Sequence, residues 1–261
     1  MLTISVNPLI FIGPFVFRWA LLIVVLATGI GIWLAAHEAE RKGIRKDNVY
    51  EVAIWIVIAG IVGARLVYVM DLWSFEFALN PVRALYVYHD WGFDIWGAVL
   101  GGLVATTLVC WKRGWRLPTF LDAAAPGLVI AQAIGRIYCI LTGDAFGRPT
   151  LGPFGFEYTN ANALAHQRNV YYTPMPAYEL IANLLIFGIL WMLRNRKWPD
   201  GTLFLLYLIL YSVERYFLGF ISAYRIVAFN LTQSQIIALA VLTFAFPVIA
   251  FRSVTFRKQT I

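Results

Sequence analysis

Charge is what this chain has least of. Asp, Glu, Lys and Arg supply 13% of its 261 residues while 61% are apolar, whereas a soluble globular domain carries roughly 25% charged residues. Too few polar side chains remain to coat a water-facing surface, which excludes an ordinary soluble domain and makes this a membrane protein. Cysteine is nearly absent. Cys110 and Cys139 are the only two, so there is no disulfide framework, and no four-cysteine or Cys/His cluster stands ready for a structural metal. Neither a metal nor a cofactor is expected. Every lysine falls in a loop or tail, none in the interior of a long apolar run, which excludes a retinal-type Schiff base. Histidine is scarce too: His37, His89 and His166 are the three available.

What the chain does have is long apolar runs, near 14–36, 51–70, 92–112, 119–141, 176–193, 202–222 and 235–251. Each is close to the roughly 20 residues that an α-helix needs to cross the hydrocarbon core. The first 13 residues hold no basic segment and no small-residue cleavage site follows the first run, so that run reads as a retained helix and not as a removed signal peptide. The expected fold is all-α: a polytopic integral membrane bundle of seven transmembrane helices, one domain spanning 1–261, with a long loop at 142–175. Cys110 and Cys139 both fall late in their runs, and because successive helices alternate in direction most of a bilayer separates them, too far apart to pair.

The basic residues orient this bundle. Arg41, Lys42, Arg45, Lys46, Lys112, Arg113, Arg116, Arg194, Arg196, Lys197, Arg252, Arg257 and Lys258 all lie on one side of the alternating runs. The other side holds only Arg83, Arg148, Arg168 and Arg225. Basic loops stay cytoplasmic, so the N-terminus is expected outside and the C-terminus inside. The net charge of +7 is then an orientation device with some attraction for anionic membrane lipids, and no nucleic acid is expected as a partner.

Four arginines remain, Arg18, Arg65, Arg136 and Arg215, and they lie inside the apolar runs. Alternating helix direction puts all of them in the outer half. An arginine at that depth costs several kcal/mol unless paired or solvated. Four at one level imply a shared polar cavity, and the planar guanidinium fork suits phosphate oxygens. The plainer alternatives are that Arg18 snorkels to the interface and that Arg136 and Arg215 form structural pairs with Glu214, Glu179 or Asp144. Acids gather on the same side: Asp90 and Asp94 before the third run, Asp144 after the fourth, and Glu179 just after Pro174, Pro176 and Tyr178. Asp144 and Glu179 stand out because they flank the loop 142–175, and a loop that long in so economical a chain is usually functional. Gly97 and Gly101 in the third run, and Gly60 with Ala64 in the second, form small-residue faces for close helix packing. Those faces would also turn Trp96 and Arg65 toward a common centre. Pro126 and Gly127 are expected to bend the fourth helix.

The segments FIGPFVFRWA, GARLVYVM, FDIWGAVLGG, GRIYCILTGDAFGRPT, TPMPAYELIAN and DGTLFLLYLILYSVERYF, in this order, resemble the bacterial prolipoprotein diacylglyceryl transferase family over nearly the whole chain. The resemblance implies an enzyme of lipoprotein biosynthesis in the bacterial plasma (inner) membrane, with its site in the outer leaflet half. It would move a diacylglyceryl group from phosphatidylglycerol to the lipobox cysteine thiol of a prolipoprotein signal peptide. Carried over by position, Arg136 is the signature arginine near the lipid phosphate, Asp144 stands where the family has glutamate, Glu179 closes the later proline motif, and Arg215 is the catalytic arginine of the penultimate helix. Catalytic roles are thus expected for Arg215, Asp144 and Glu179, and substrate binding for Arg136, Arg65, Arg18, Trp96 and Tyr178. The chain departs from the family pattern where Trp96 replaces a histidine, Cys139 and Thr142 replace asparagines, Thr173 replaces a second histidine, and Gly219 replaces an acid. Tryptophan cannot accept a proton, so a thiol base is expected from Asp144 or Glu179, with His89, His166, water or an arginine-stabilised thiolate as alternatives. Two other functions stay open: a non-catalytic member that binds anionic phospholipid through the same arginines, and a seven-helix receptor or transporter. Cys139 reads as a small buried hydrophobe and not as a nucleophile.

Overall fold

The computed structural model describes residues 1–13, 15–85, 92–165 and 170–259, with backbone alone at 12, 15–17, 20–21 and 252–259. Asp90, His89, His166 and Arg168 lie outside the described residues. Seven α-helices run through them: α1 (Trp19–Arg41), α2 (Lys46–Asp71), α3 (Ile95–Arg113), α4 (Leu117–Thr142), α5 (Met175–Leu193), α6 (Thr202–Leu218) and α7 (Gln233–Gln259). Among the described residues six of these are long and apolar enough to cross a membrane; α6 has 17 residues and falls short of that length. No more than 33% of any of these six hydrophobic windows is buried, so their outward faces are apolar and exposed, as lipid-facing helices require. The protein is a polytopic helical membrane protein.

Six short strands join the helices, which an all-α expectation does not include: β1 (Leu2–Ile4), β2 (Leu9–Ile12), β3 (Phe15–Arg18), β4 (Phe156–Tyr158), β5 (Ile226–Ala228) and β6 (Leu231–Thr232). The run expected as a helix from residue 14 therefore begins as the second arm of a hairpin, with Leu9 opposite Arg18 and Gly13 at φ +59° in its turn. Helix α1 starts only at Trp19. Short aromatic and β-branched segments suit a strand and a buried helix equally by periodicity, and a turn glycine decides between them.

The chain separates into two compact units, Ala36–Phe120 and Met1–Ala35 with Leu121–Ile261. In the first, α2 and α3 pack antiparallel through glycine. A side chain at Gly97 would strike Gly63 O and lie 2.9 Å from Ala64 Cα, and one at Gly101 would strike Ala59 O. Gly63 and Ala59 thus carry the α2 side of the contact, whereas a Cβ at Gly60 would meet only Ala98 O at 3.5 Å. Backbones this close gain dispersion contacts that bulkier residues forbid. Asp94 caps α3, accepting from the backbone N–H of Trp96 at 2.7 Å and Gly97 at 3.0 Å. Gly114, at φ +67°, closes its C-terminus.

In the second unit, Ala125 and Val129 of α4, Ile186 and Leu190 of α5, and Leu203 and Tyr207 of α6 form one buried cluster. Gly127 meets Gly31 of α1 there: a Cβ at Gly31 would sit 2.9 Å from Gly127 O. The Pro126–Gly127 pair thus serves close packing. Asp122 accepts from the N–H of Gly201 at 2.9 Å and of Phe204 at 2.8 Å, which satisfies donors that the start of α6 leaves open. Helices α6 and α7 are joined by the β5–β6 hairpin, with Phe229 and Asn230 at positive φ in its turn.

The long connection between α4 and α5 is built and not slack. β4 pairs in parallel with β1, and Phe156 exchanges backbone hydrogen bonds with Tyr172. Ile4, Tyr158 and Tyr172 plug the space beneath, and Tyr158 donates to Ile140 O at 3.1 Å. Burial pushes this phenol well above its usual range.

Candidate functional site

Three helices bring charge to one place. Arg136 lies in the last two turns of α4, Glu179 in the second turn of α5 and Arg215 in the last turn of α6. Pro174 and Pro176 fix where α5 begins, because proline fits a first helical turn, and that start turns Glu179 inward. Glu179 is fully buried. Its Oε1 accepts from Nη1 of Arg215, and its Oε2 lies 2.6 Å from Nε of Arg136. The second contact is a charge pair whose N–H misses the oxygen, so Oε2 accepts no hydrogen bond.

One carboxylate thus serves two guanidiniums. A buried carboxylate without partners would cost several kcal/mol, and a single negative charge between two arginines leaves net positive charge in front of it. The arginine side chains are 20% and 17% exposed while Glu179 is 0% exposed, so the acid is the buried member of the group and each arginine keeps some exposed surface. Each guanidinium has five N–H donors, and Glu179 engages only a fraction of them. Arg136 also donates to Cys139 Sγ at 3.7 Å. Around them stand Tyr211, whose ring centre is 5.9 Å from Arg215 Cζ, and Tyr224. Glu214, next to Arg215 on α6, is buried.

The turn after α4 ties these helix ends together. Gly143 at φ +70° and Ala145 at φ +52° reverse the chain, and Asp144 spends one carboxylate oxygen on the N–H of Ala145 at 2.8 Å. Gly147 N–H donates to Thr173 O at 3.0 Å, Arg148 N–H to Ile221 O at 3.0 Å, and Arg148 Nε to Ser222 O at 3.1 Å. A Cβ at Gly147 would lie 2.8 Å from Ile221 O, so glycine is needed there. The segment GDAFGR therefore laces the start of α5 to the end of α6, beside the arginines.

Of the remaining residues expected at the site, Arg18 and Tyr178 lie in the same unit as this group, and Arg65 and Trp96 in the other. Arg18 is the exposed last residue of β3, within electrostatic range of Tyr138. Tyr178 is 36% exposed on the first turn of α5. In the other unit Arg65 donates to Ala84 O at 3.0 Å, Gly92 O at 3.1 Å and Arg83 O at 3.4 Å, with the Tyr68 and Phe77 rings beside it. Its guanidinium holds backbone. The sequence reading missed Gln132, Asn183, Tyr207 and Tyr211 near the charged group, although each lies four residues from its partner on one helix face: Gln132 and Arg136, Glu179 and Asn183, Tyr207, Tyr211 and Arg215. Uncharged polar residues in apolar runs carry too weak a signal to separate from packing.

Membrane helices and a guanidinium pair sharing one buried carboxylate define a membrane protein with a charged cluster at the ends of three helices. Comparison with known proteins narrows this class. The family model for prolipoprotein diacylglyceryl transferase matches residues 7–251. A phosphatidylglycerol–prolipoprotein diacylglyceryl transferase of Dehalococcoides mccartyi is 32% identical over 261 residues, covering 99% of this chain and 97% of that protein. Proteins of the same name from Enterococcus faecalis, with 90% of this chain and 86% of theirs covered, and Gloeobacter violaceus, with 90% and 89%, are each 32% identical. The chain belongs to the prolipoprotein diacylglyceryl transferase family.

Proposed function

We propose that this protein transfers a diacylglyceryl group from phosphatidylglycerol to the thiol of a lipobox cysteine in a prolipoprotein signal peptide. The observation that supports this reading is the convergence of Arg136 and Arg215 on buried Glu179, with the two arginine side chains still 20% and 17% exposed. In the reaction the thiolate sulfur attacks the glyceryl carbon, a C–S bond forms, and the C–O bond to phosphate breaks with its electron pair leaving on glycerol phosphate. Arg136 and Arg215 bind the phosphate and stabilise the charge that grows on it as that bond breaks. Glu179 positions them. Asp144 keeps one oxygen beyond the bond to Ala145 and is the proposed acceptor of the thiol proton. Trp96, Arg65, Arg18 and Tyr178 complete the lipid contacts in this reading, and alanine at each tests that part separately.

The whole chain acts as one transferase domain, with α6 as a seventh span, the N-terminus outside, the C-terminus inside, and the arginine pair in the outer leaflet half of the bacterial plasma (inner) membrane. The distribution of basic loop residues supports this orientation. A complementation experiment tests the function. A bacterial strain depleted of its own transferase is expected to regain lipidated prolipoprotein when this chain is expressed, and to stay deficient with Arg215→Ala. Normal membrane insertion of the wild-type chain without recovery would refute the transferase reading and leave a lipid-binding member.

A further inference from the structure

A helix leaves its last four carbonyls without helical partners, and in α6 these belong to Arg215, Tyr216, Phe217 and Leu218. Local backbone serves three of them: Gly219 N–H donates to Arg215 O at 3.1 Å, Phe220 N–H to Phe217 O at 3.2 Å and Ile221 N–H to Leu218 O at 3.1 Å. Tyr216 O is served from another helix. It accepts from Nε2 of Gln235 at 3.1 Å, so a side chain of α7 holds the peptide one residue past Arg215.

Gln235 is 1% exposed and is the third residue of α7, where it also completes the start of that helix. Thr232 and Gln235 form a capping box: Oε1 of Gln235 accepts from Thr232 N–H at 2.9 Å, and Gln235 N–H donates to Thr232 Oγ1 at 3.4 Å. Because Oε1 faces the amide of Thr232, Nε2 is the end that faces Tyr216 O. Glutamate serves a capping box as well as glutamine does, but it has no N–H to offer a carbonyl. The second bond is what makes glutamine the fitting residue here. Gly219 makes room for it. Its φ of −57° is ordinary right-handed backbone, so the turn itself does not require glycine. The side chain of Gln235 does: a Cβ at 219 would strike its Cγ and lie 2.9 Å from its Nε2. From the other side Arg148 holds Ile221 O and Ser222 O, so the chain end that bears Arg215 is fastened from two directions.

We propose that Gln235 is a positioning residue for Arg215: its amide, admitted by Gly219, sets the end of α6 so that the guanidinium meets Glu179. The inference rests on the transferase reading given above and adds a residue that acts through Arg215. A misplacement of about 1 Å in a reacting group costs about 100-fold in rate, so a bond that fixes the last turn of α6 is felt in the chemistry.

Two substitutions separate this role from packing. Gln235→Glu keeps the capping box and adds a charge that a helix N-terminus favours, yet sets an acceptor against Tyr216 O. Gly219→Ala improves helix propensity and pushes the amide of Gln235 off that carbonyl. A purely structural role predicts that neither change slows transfer. Positioning predicts that each, in the purified full chain with phosphatidylglycerol and a lipobox peptide, lowers kcat by at least about tenfold with KM within about twofold of wild type. The double variant is expected to stay within about threefold of the slower single one, since both changes remove the same bond. Phenylglyoxal labelling read by mass spectrometry follows Arg215 without turnover. Relative to exposed Arg83, its rate is expected to rise at least about threefold in both variants, as the guanidinium leaves Glu179 more often. Wild-type kcat in either folded variant, or slower turnover with unchanged labelling of Arg215, overturns the role. The two substitutions lie on different elements, so failure of one variant to fold leaves the other to decide. Absence of transfer by wild type refutes the transferase reading instead, and the labelling comparison then decides the hold on Arg215 by itself.

Discussion

Glu179 has no access to solvent and two guanidiniums against it. Removing its charge leaves Arg136 and Arg215 facing each other with no shared counter-ion, and breaking a buried pair costs roughly 3–5 kcal/mol. Glu179→Gln is therefore expected to lower the thermal unfolding midpoint in detergent and to reduce transfer by at least about 100-fold, read by unfolding scans and by product formation. Unchanged stability would contradict the role given to this carboxylate. Arg136→Lys and Arg215→Lys keep the charge and lose the fork, so each is expected to cut transfer by at least about tenfold; full rescue by lysine would mean that only charge matters. These residues were legible because a charge inside an apolar run has few inexpensive explanations. Arg65 has a kind of partner that the same logic does not reveal. Its charge is just as conspicuous in the sequence, but the carbonyls of Arg83, Ala84 and Gly92 take its N–H groups, and backbone acceptors leave no mark in a sequence.

At the scale of elements, packing turns on small residues and caps. Gly97→Val would drive methyl groups into the backbone of α2 at Gly63 and Ala64 and is expected to destabilise the protein by about 1–3 kcal/mol. Gly102→Val, where a Cβ would meet only Ile56 Cγ2 at 4.0 Å, serves as the control in the same unfolding scan; an equal loss at both positions would contradict the glycine contact. Asp122→Ala leaves two N–H groups at the start of α6 without their carboxylate, a loss of roughly 1–2 kcal/mol. Helix limits were readable to a few residues wherever a long apolar run met Pro, Gly or charge, as at Gly114 and Pro174. The strands were not readable. β1 and β4 are brought together across the chain, and a pairing between segments that far apart depends on tertiary structure that no local pattern encodes. On α2 the sequence pointed to Gly60 and Ala64; Ala64 is in the tight contact, which otherwise runs through Ala59 and Gly63 and leaves Gly60 in ordinary contact. Spacing identifies a small-residue face without fixing which turn touches its partner.

For the molecule as a whole, the excess of basic residues on one set of loops predicts its orientation. A membrane-impermeant thiol reagent on intact cells is expected to label Leu151→Cys, at a position 95% exposed in the long connection, and to reach Lys197→Cys only after the membrane is opened. Cys110 and Cys139 are buried and stay silent. The reverse pattern would place the arginine pair in the wrong leaflet for an extracytoplasmic thiol. The central claim is that two guanidiniums from separate helices hold the phosphate of a phospholipid during transfer. Its most direct test is turnover by the purified chain with phosphatidylglycerol and a lipobox peptide. Wild type is expected to form the thioether-linked diacylglyceryl peptide, and Arg136→Ala and Arg215→Ala, each inserted and folded, to be slower by at least about 100-fold. Wild-type rates in both arginine variants would contradict it.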